Sequence, residues 1–154
     1  MTVPTLYEWA GGDAALQRLT ERFYEKVRAD PVVGPLFAAM PADHPRHVAL
    51  WLGEVFRGPA AYSEEFGGYQ RMMRHHLERH IRPEQRARWV ALLAGTADEV
   101  GLPDDPEFRS AFMAYLEWGS RIALANSQPG ARPPETAPMP HWGWGEAPPY
   151  QPGT

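Results

Sequence analysis

The sequence contains no cysteine, which excludes a disulfide framework, a thiolate metal site and a cysteine nucleophile. It has a single lysine, Lys26, and arginine supplies every other cationic side chain. A planar guanidinium suits carboxylates and phosphates, although GC-rich coding produces the same bias. No stretch approaches the ~20 consecutive apolar residues of a membrane-spanning helix. The opening Met1-Thr2-Val3-Pro4-Thr5 lacks the basic and apolar regions of a signal peptide, so a soluble cytoplasmic protein with no membrane partner is expected. Excess positive charge is missing too. With 15 Lys+Arg against 19 Asp+Glu the net charge is -4, the wrong sign for a general nucleic-acid binder. No segment alternates with a period of two, and no internal repeat is present.

What remains is apolar material, 44% of 154 residues, sufficient for the core of one domain. Its period is helical. Gly11-Gly12 breaks the chain and Asp13 is a good N-cap for a helix carrying Leu16, Leu19, Phe23 and Val27, ending before Asp30-Pro31. After a turn from Val32 to Phe37, Asp43 or His44 precedes Pro45 and opens a helix bearing Val48, Trp51, Leu52 and Val55. A polar loop with Gly67-Gly68 leads to a short helical segment from Tyr69 to about Leu77. Pro83 opens a long helix with Trp89, Leu92, Leu93, Thr96 and Val100. Asp104 or Asp105, with Pro106, opens the last one, whose face includes Phe108, Phe112, Tyr115, Leu116, Gly119 and Ile122. The fold class read from this pattern is all-α.

Composition changes after Asn126. Residues 127–154 are crowded with Pro and Gly, which excludes helix or central strand and predicts an extended tail. That tail nevertheless carries Trp142, Trp144 and Tyr150, rings that favour burial. Docking on the tail's own domain is the expectation, with a reductase or a second subunit as the alternative surface. Residues 1–126 are therefore expected to form the domain and 127–154 an extension.

Five of the six histidines form two clusters, His44 with His47 and His75-His76 with His80. Three readings compete on residue types alone. His76 and His80, one turn apart, chelate zinc with His44 or His47, but without a His-Glu-x-x-His pattern. Alternatively they are surface histidines on arginine-rich helices, as in a helical interaction module. In the third reading they belong to a haem pocket, which needs one axial nitrogen and large apolar walls. Met72, Met73, Leu77 and Ile81 would flank His76, and Phe23, Phe37, Val48, Trp51 and Leu52 would close the other side.

The order of motifs resembles the truncated haemoglobins, specifically group II. The matching pieces are Leu6-Tyr7-Glu8-Trp9-Ala10-Gly11-Gly12, Arg22-Phe23-Tyr24-Glu25-Lys26-Val27 and Asp30-Pro31-Val32-Val33-Gly34-Pro35-Leu36-Phe37. They continue with Gly53-Glu54-Val55-Phe56-Arg57-Gly58-Pro59, Tyr62-Ser63-Glu64, Met73-Arg74-His75-His76-Leu77-Glu78-Arg79-His80-Ile81 and Trp89. Each is weak alone; in this order, from Leu6 to Asn126, they are specific.

The resemblance implies a two-over-two helical sandwich around haem b, with the irregular tail outside the common core. It makes His76 the iron ligand, because the family's tryptophan thirteen positions on then falls on Trp89; His75 takes that role only if the register shifts by one. It places Tyr24 and Trp89 on the distal side as ligand donors. Phe37 packs on the porphyrin where many relatives carry Tyr. His44 falls near the distal-histidine position, where three roles fit it: donor, sixth ligand or gate. His47, Tyr62, Arg71 and Arg74 are propionate partners, with Val48 and Trp51 lining the distal face. The implied ligands are O2, carbon monoxide and nitric oxide, bound by a monomer or homodimer for oxygen binding or transport, or for redox chemistry with nitric oxide or peroxide. A nitric oxide dioxygenase or peroxidase would need a separate reductase, since Gly67-Gly68 and Gly101 sit in no strand–glycine–helix context.

Overall fold

The computed structural model describes residues 3–145, so Tyr150 lies outside the described residues. Among these, seven α-helices and no strand are found: α1 (Leu6–Ala10), α2 (Gly12–Ala29), α3 (His44–Val55), α4 (Ala61–Phe66), α5 (Tyr69–His76), α6 (Pro83–Glu99) and α7 (Pro106–Asn126), with a 3-10 turn at Gly34–Phe37. The all-α expectation is met, and no described helix is long and apolar enough to cross a membrane.

The long helices start and stop where the chain's chemistry dictates. Asp105 caps α7 by accepting from the Phe108 amide at 2.9 Å, with Pro106 in the first turn where a missing N–H costs nothing. Pro83 and Pro45 occupy the same position in α6 and α3. Asp30 ends α2: its carboxylate accepts from the Val32 and Val33 amides at 2.9 and 3.1 Å and from Arg88 Nε of α6 at 2.8 Å. Burial pushes that carboxyl up, but Arg88 and the two amides outweigh it and hold it below the usual range. One capping expectation is corrected. Asp13 is not the N-cap of α2; Gly11 is, at φ 110°, where it also closes α1 in a left-handed turn. Asp13 sits in the first turn, its amide donating to the Tyr7 hydroxyl and its carboxylate accepting from Gln17.

Two helices escape a reading by periodicity. α1 spans five residues and α4 six, too few for a 3.6-residue period to show. The Thr5–Glu8 capping box fixes α1, each side chain accepting from the other residue's amide. Buried Glu54 fixes α4, accepting from the Ser63 amide at 2.7 Å and from its hydroxyl. The ring of Tyr7 lies over the corner after α3, and a Cβ on Gly58 would meet it at 2.5 Å. Gly58→Ala is therefore expected to destabilise by about 1–3 kcal/mol, the usual cost of overpacking, measured by urea unfolding.

The core is one stripe per helix. α2 turns Leu16, Leu19, Phe23 and Val27 inward against α3 and α6, and α6 packs on α7, with Leu93 and Ala97 of the one and Phe108 and Phe112 of the other buried in the same core. α3 meets α7 through rings: Phe56 against Phe112 and Tyr115, and Trp51 Nε1 donating to the Tyr115 hydroxyl at 2.6 Å.

After α7 the chain to residue 145 is irregular and lies on the helices. The Trp142 amide donates to the Val55 carbonyl at 2.7 Å, completing the end of α3. Trp144 Nε1 donates to the Pro4 carbonyl at 2.8 Å, with its ring edge-on to Trp9. The Trp142 ring packs on Tyr115 and Trp118. The expectation that these rings dock on the chain's own helices is met for Trp142 and Trp144. Because Trp142 is half-buried, Trp142→Ala should cost about 2 kcal/mol, below the fully buried range, and lower Tm by roughly 4–8 °C in a thermal scan.

Candidate functional site

Between α3 and the α5–α7 side lies a cavity of about 490 Å3, within the usual range for a site taking a drug-sized ligand. Its walls are mainly rings and aliphatic chains. α3 contributes His44, His47, Val48, Trp51 and Leu52, α4 contributes Tyr62 and Phe66, and the 3-10 turn contributes Phe37. α5 contributes Tyr69, Arg71, Met72, Met73, His75 and His76, followed by Arg79 and Ile81. Tyr24, Trp89, Tyr115 and Trp118 face it from α2, α6 and α7, among other residues of α6 and α7.

His76 is the last residue of α5 and half-buried. Its ring donates to the Met72 carbonyl one turn back, while burial, followed by His75 and Arg79, pushes its pKa down to about 4. The result near neutral pH is an uncharged imidazole with one nitrogen committed as donor and the other holding a lone pair, the state in which histidine ligates a metal. The segment behind it is pinned. His80 N donates to the Ser127 carbonyl at 2.9 Å and Ile81 N to Ser127 Oγ at 3.0 Å, after left-handed turns at Glu78 and His80. The His80 side chain is exposed and pairs with Glu78.

A second polar cluster occupies the same cavity. A hydrogen bond joins the Trp89 indole to the Tyr24 hydroxyl, and burial raises the tyrosine pKa, so Tyr24 keeps its proton as a donor. The Tyr24 ring lies 4.8 Å from His44, nearly perpendicular, and 5.5 Å from Phe37. His44 is itself pushed down to about 4, by burial first and then by His47 and His75. Below about pH 6.5 the unfolded chain therefore binds a proton at His44 that the folded chain excludes until about pH 4. Stability falls as pH drops through that window, by on the order of 3 kcal/mol. In cofactor-free protein, His44→Leu should make this acid limb shallower, the remainder coming from His76, when urea unfolding at neutral pH is compared with that near pH 4.5.

Basic groups gather at one exposed edge. Arg71 Nε donates to His75 Nε2 at 3.2 Å and Arg79 Nε to the His75 carbonyl at 3.0 Å. His47 pairs with Asp43 at 3.0 Å and packs on Phe66 at 4.3 Å. Apolar walls, one neutral imidazole and a cationic rim fit a flat apolar macrocycle with a ligatable centre and carboxylates on one edge. Haem has that chemistry.

Three of the residues expected at this site stand elsewhere. Phe23 does not reach the cavity but backs it, edge-on to Tyr24 at 4.8 Å and to Trp89 at 5.4 Å, because it precedes Tyr24 by about 100° around the helix. Arg74 is exposed and absent from the lining, since it sits two positions from both Met72 and His76. Leu77 is 37% exposed; its backbone is extended, which carries it off the α5 stripe. Conversely, Phe66, Tyr69, Tyr115 and Trp118 line the cavity without having been singled out for it. Tyr115 belongs to the same apolar stripe as the core, so its spacing gave no separate signal. Among the described residues no three His, Cys, Asp or Glu side chains gather as a bare metal ion requires, which removes support from the zinc reading.

The family model described as bacterial-like globin matches residues 5–118. The chain belongs to that family. This globin is 29% identical to a group 2 truncated hemoglobin of Bacillus subtilis (strain 168) over 110 residues, 71% of this chain and 81% of that one. It also superimposes on a hemoglobin of the thermophilic phototrophic bacterium Chloroflexus aurantiacus with TM-score 0.70 and 33% identity, covering 79% and 98% of the two chains. A truncated oxygen-avid haemoglobin from Bacillus subtilis gives TM-score 0.70 at 27% identity, covering 79% and 99%. The group II resemblance is thus met. As a globin, this protein binds small gaseous ligands such as O2 through haem.

Proposed function

We propose that this globin holds haem b through His76 and binds O2, carbon monoxide and nitric oxide reversibly, with Tyr24, Trp89 and His44 around the ligand. The observation carrying this reading is the pairing, in one apolar cavity, of a neutral imidazole oriented by the Met72 carbonyl with a Tyr24–Trp89 donor cluster. Haem, when bound, would supply an iron able to take an imidazole nitrogen and a diatomic gas. Arg71, His47 and Tyr62 would meet its carboxylates, while Phe37, Val48, Trp51, Leu52, Met72 and Ile81 would enclose it and exclude water, with His75 at the exposed rim. Tyr24 keeps its O–H as a donor, and the single Trp89 N–H, which donates to the Tyr24 hydroxyl in the structure, would turn to a bound ligand that gathers negative charge.

Two such donors slow ligand escape. That suits redox chemistry with nitric oxide or peroxide, fed by a separate reductase, better than rapid oxygen delivery. A domain of residues 1–126 performs this work in a soluble cytoplasmic protein, and the described part of the 127–154 extension, up to residue 145, braces it. The test is a pyridine haemochrome assay with an O2 titration of the reduced protein. One b-type haem per chain with saturable O2 binding is expected; protein that takes up no haem overturns the reading.

A further inference from the structure

Rings in contact lead from the cavity to the surface, and the haem and ligand roles above leave Tyr69, Tyr115, Trp118 and Trp142 unused. Trp51 lies nearly parallel to Tyr69 at 5.8 Å, packs edge-on to Tyr62 at 5.2 Å and donates to the Tyr115 hydroxyl at 2.6 Å. Tyr115 lies 5.6 Å from Trp142 and 6.2 Å from Trp118, and those two indoles are 5.6 Å apart. Core packing accounts for buried rings, but this array runs past the core. Trp118 lines the cavity and is half-exposed; Trp142, also half-exposed, is delivered by the irregular tail and fixed by its amide bond to Val55.

Indole and phenol are the side chains here most readily oxidised by one electron. An indole can carry the positive charge without losing its proton, whereas a phenol must give its proton up. The Tyr115 hydroxyl is buried and accepts from Trp51, so Tyr115 serves as a bridge and the charge rests on the indoles.

We propose that Trp142, with Trp118, forms a surface oxidation site: a hydroperoxide reduced in the cavity draws electrons through this array from a phenolic reductant too bulky to enter. The hydroperoxide O–O bond breaks, taking two electrons and two protons to give an alcohol and water. Each of two phenols loses one electron and one proton and leaves as a phenoxyl radical. The sum is ROOH + 2 ArOH → ROH + H2O + 2 ArO•. This rests on the haem reading above.

The test uses the full chain purified with its cofactor, the haem band being recorded first. One equivalent of hydrogen peroxide is added with a nitroso spin trap, and the adducts are mapped by peptide mass spectrometry. Adducts on Trp142 or Trp118 are expected. Trp142→Phe should keep the haem band and carbon monoxide binding, lose the adduct at that position, and lower kcat/KM for a bulky phenol by about tenfold or more. Adducts confined to Tyr24 and Trp89, or bulky-phenol oxidation unchanged in Trp142→Phe, overturn the proposal while leaving haem binding intact. A chain with no haem band brings down both.

Discussion

Replacing His76 by glycine is expected to cost the protein its cofactor. The imidazole is the one neutral nitrogen in the cavity held by a backbone acceptor on its own helix, through the Met72 carbonyl. Loss of an outer-shell partner of a metal ligand typically costs 10–100-fold in affinity, so loss of the ligand itself should exceed roughly 100-fold. Haem content after purification and the rate of haem transfer to an acceptor globin measure this. Added imidazole should restore part of the binding, because the cavity keeps its walls. His75→Gly should leave haem content near normal, since His75 is exposed and engaged by Arg71 at the rim. If the two variants exchange these outcomes, the register moves by one residue and His75 is the ligand.

The second large effect is expected at Trp89. Its N–H is one of two donors near the ligand, and a hydrogen bond to a charged acceptor contributes about 1.5–3 kcal/mol. Trp89→Phe should therefore raise the O2 dissociation rate by roughly 10- to 150-fold in stopped-flow measurements, with little change in the association rate. Tyr24→Phe should act in the same direction. The indole and hydroxyl are bonded to each other, so the two effects should not add; removing one frees the other's geometry. An unchanged off-rate in Trp89→Phe removes the indole from ligand stabilisation and leaves it as packing against Phe23.

Much of this molecule is legible in the chain. The four long helices follow from three- and four-residue spacing, prolines in first turns and acidic caps. α1 and α4 were hidden because one or two turns cannot display a period; what fixes them, the Thr5–Glu8 box and the Glu54–Ser63 bonds, is capping and tertiary chemistry. The α3 and α5 sides of the cavity could be placed from helical stripes anchored on His44 and His76. Phe23 and Arg74 show the limit of that method: a rotation of 100–200° around the helix decides between lining and backing. The α7 wall could not be separated from core, since Tyr115 buries its ring against Phe56 and presents another edge to the cavity. The tail's rings announced burial, but only tertiary structure shows that the Trp142 ring seats on α7 and the Trp144 indole on Pro4, with the Trp142 amide bonded to Val55.

The most direct measurement of the central claim is the visible spectrum of the purified protein, oxidised, then reduced, then under carbon monoxide. An intense haem absorption at roughly 400 nm, the usual region for a His-ligated b-type haem, should sharpen and shift on carbon monoxide binding. A colourless protein, or one whose spectrum ignores carbon monoxide, contradicts the assignment of His76 and of the donors that share its cavity.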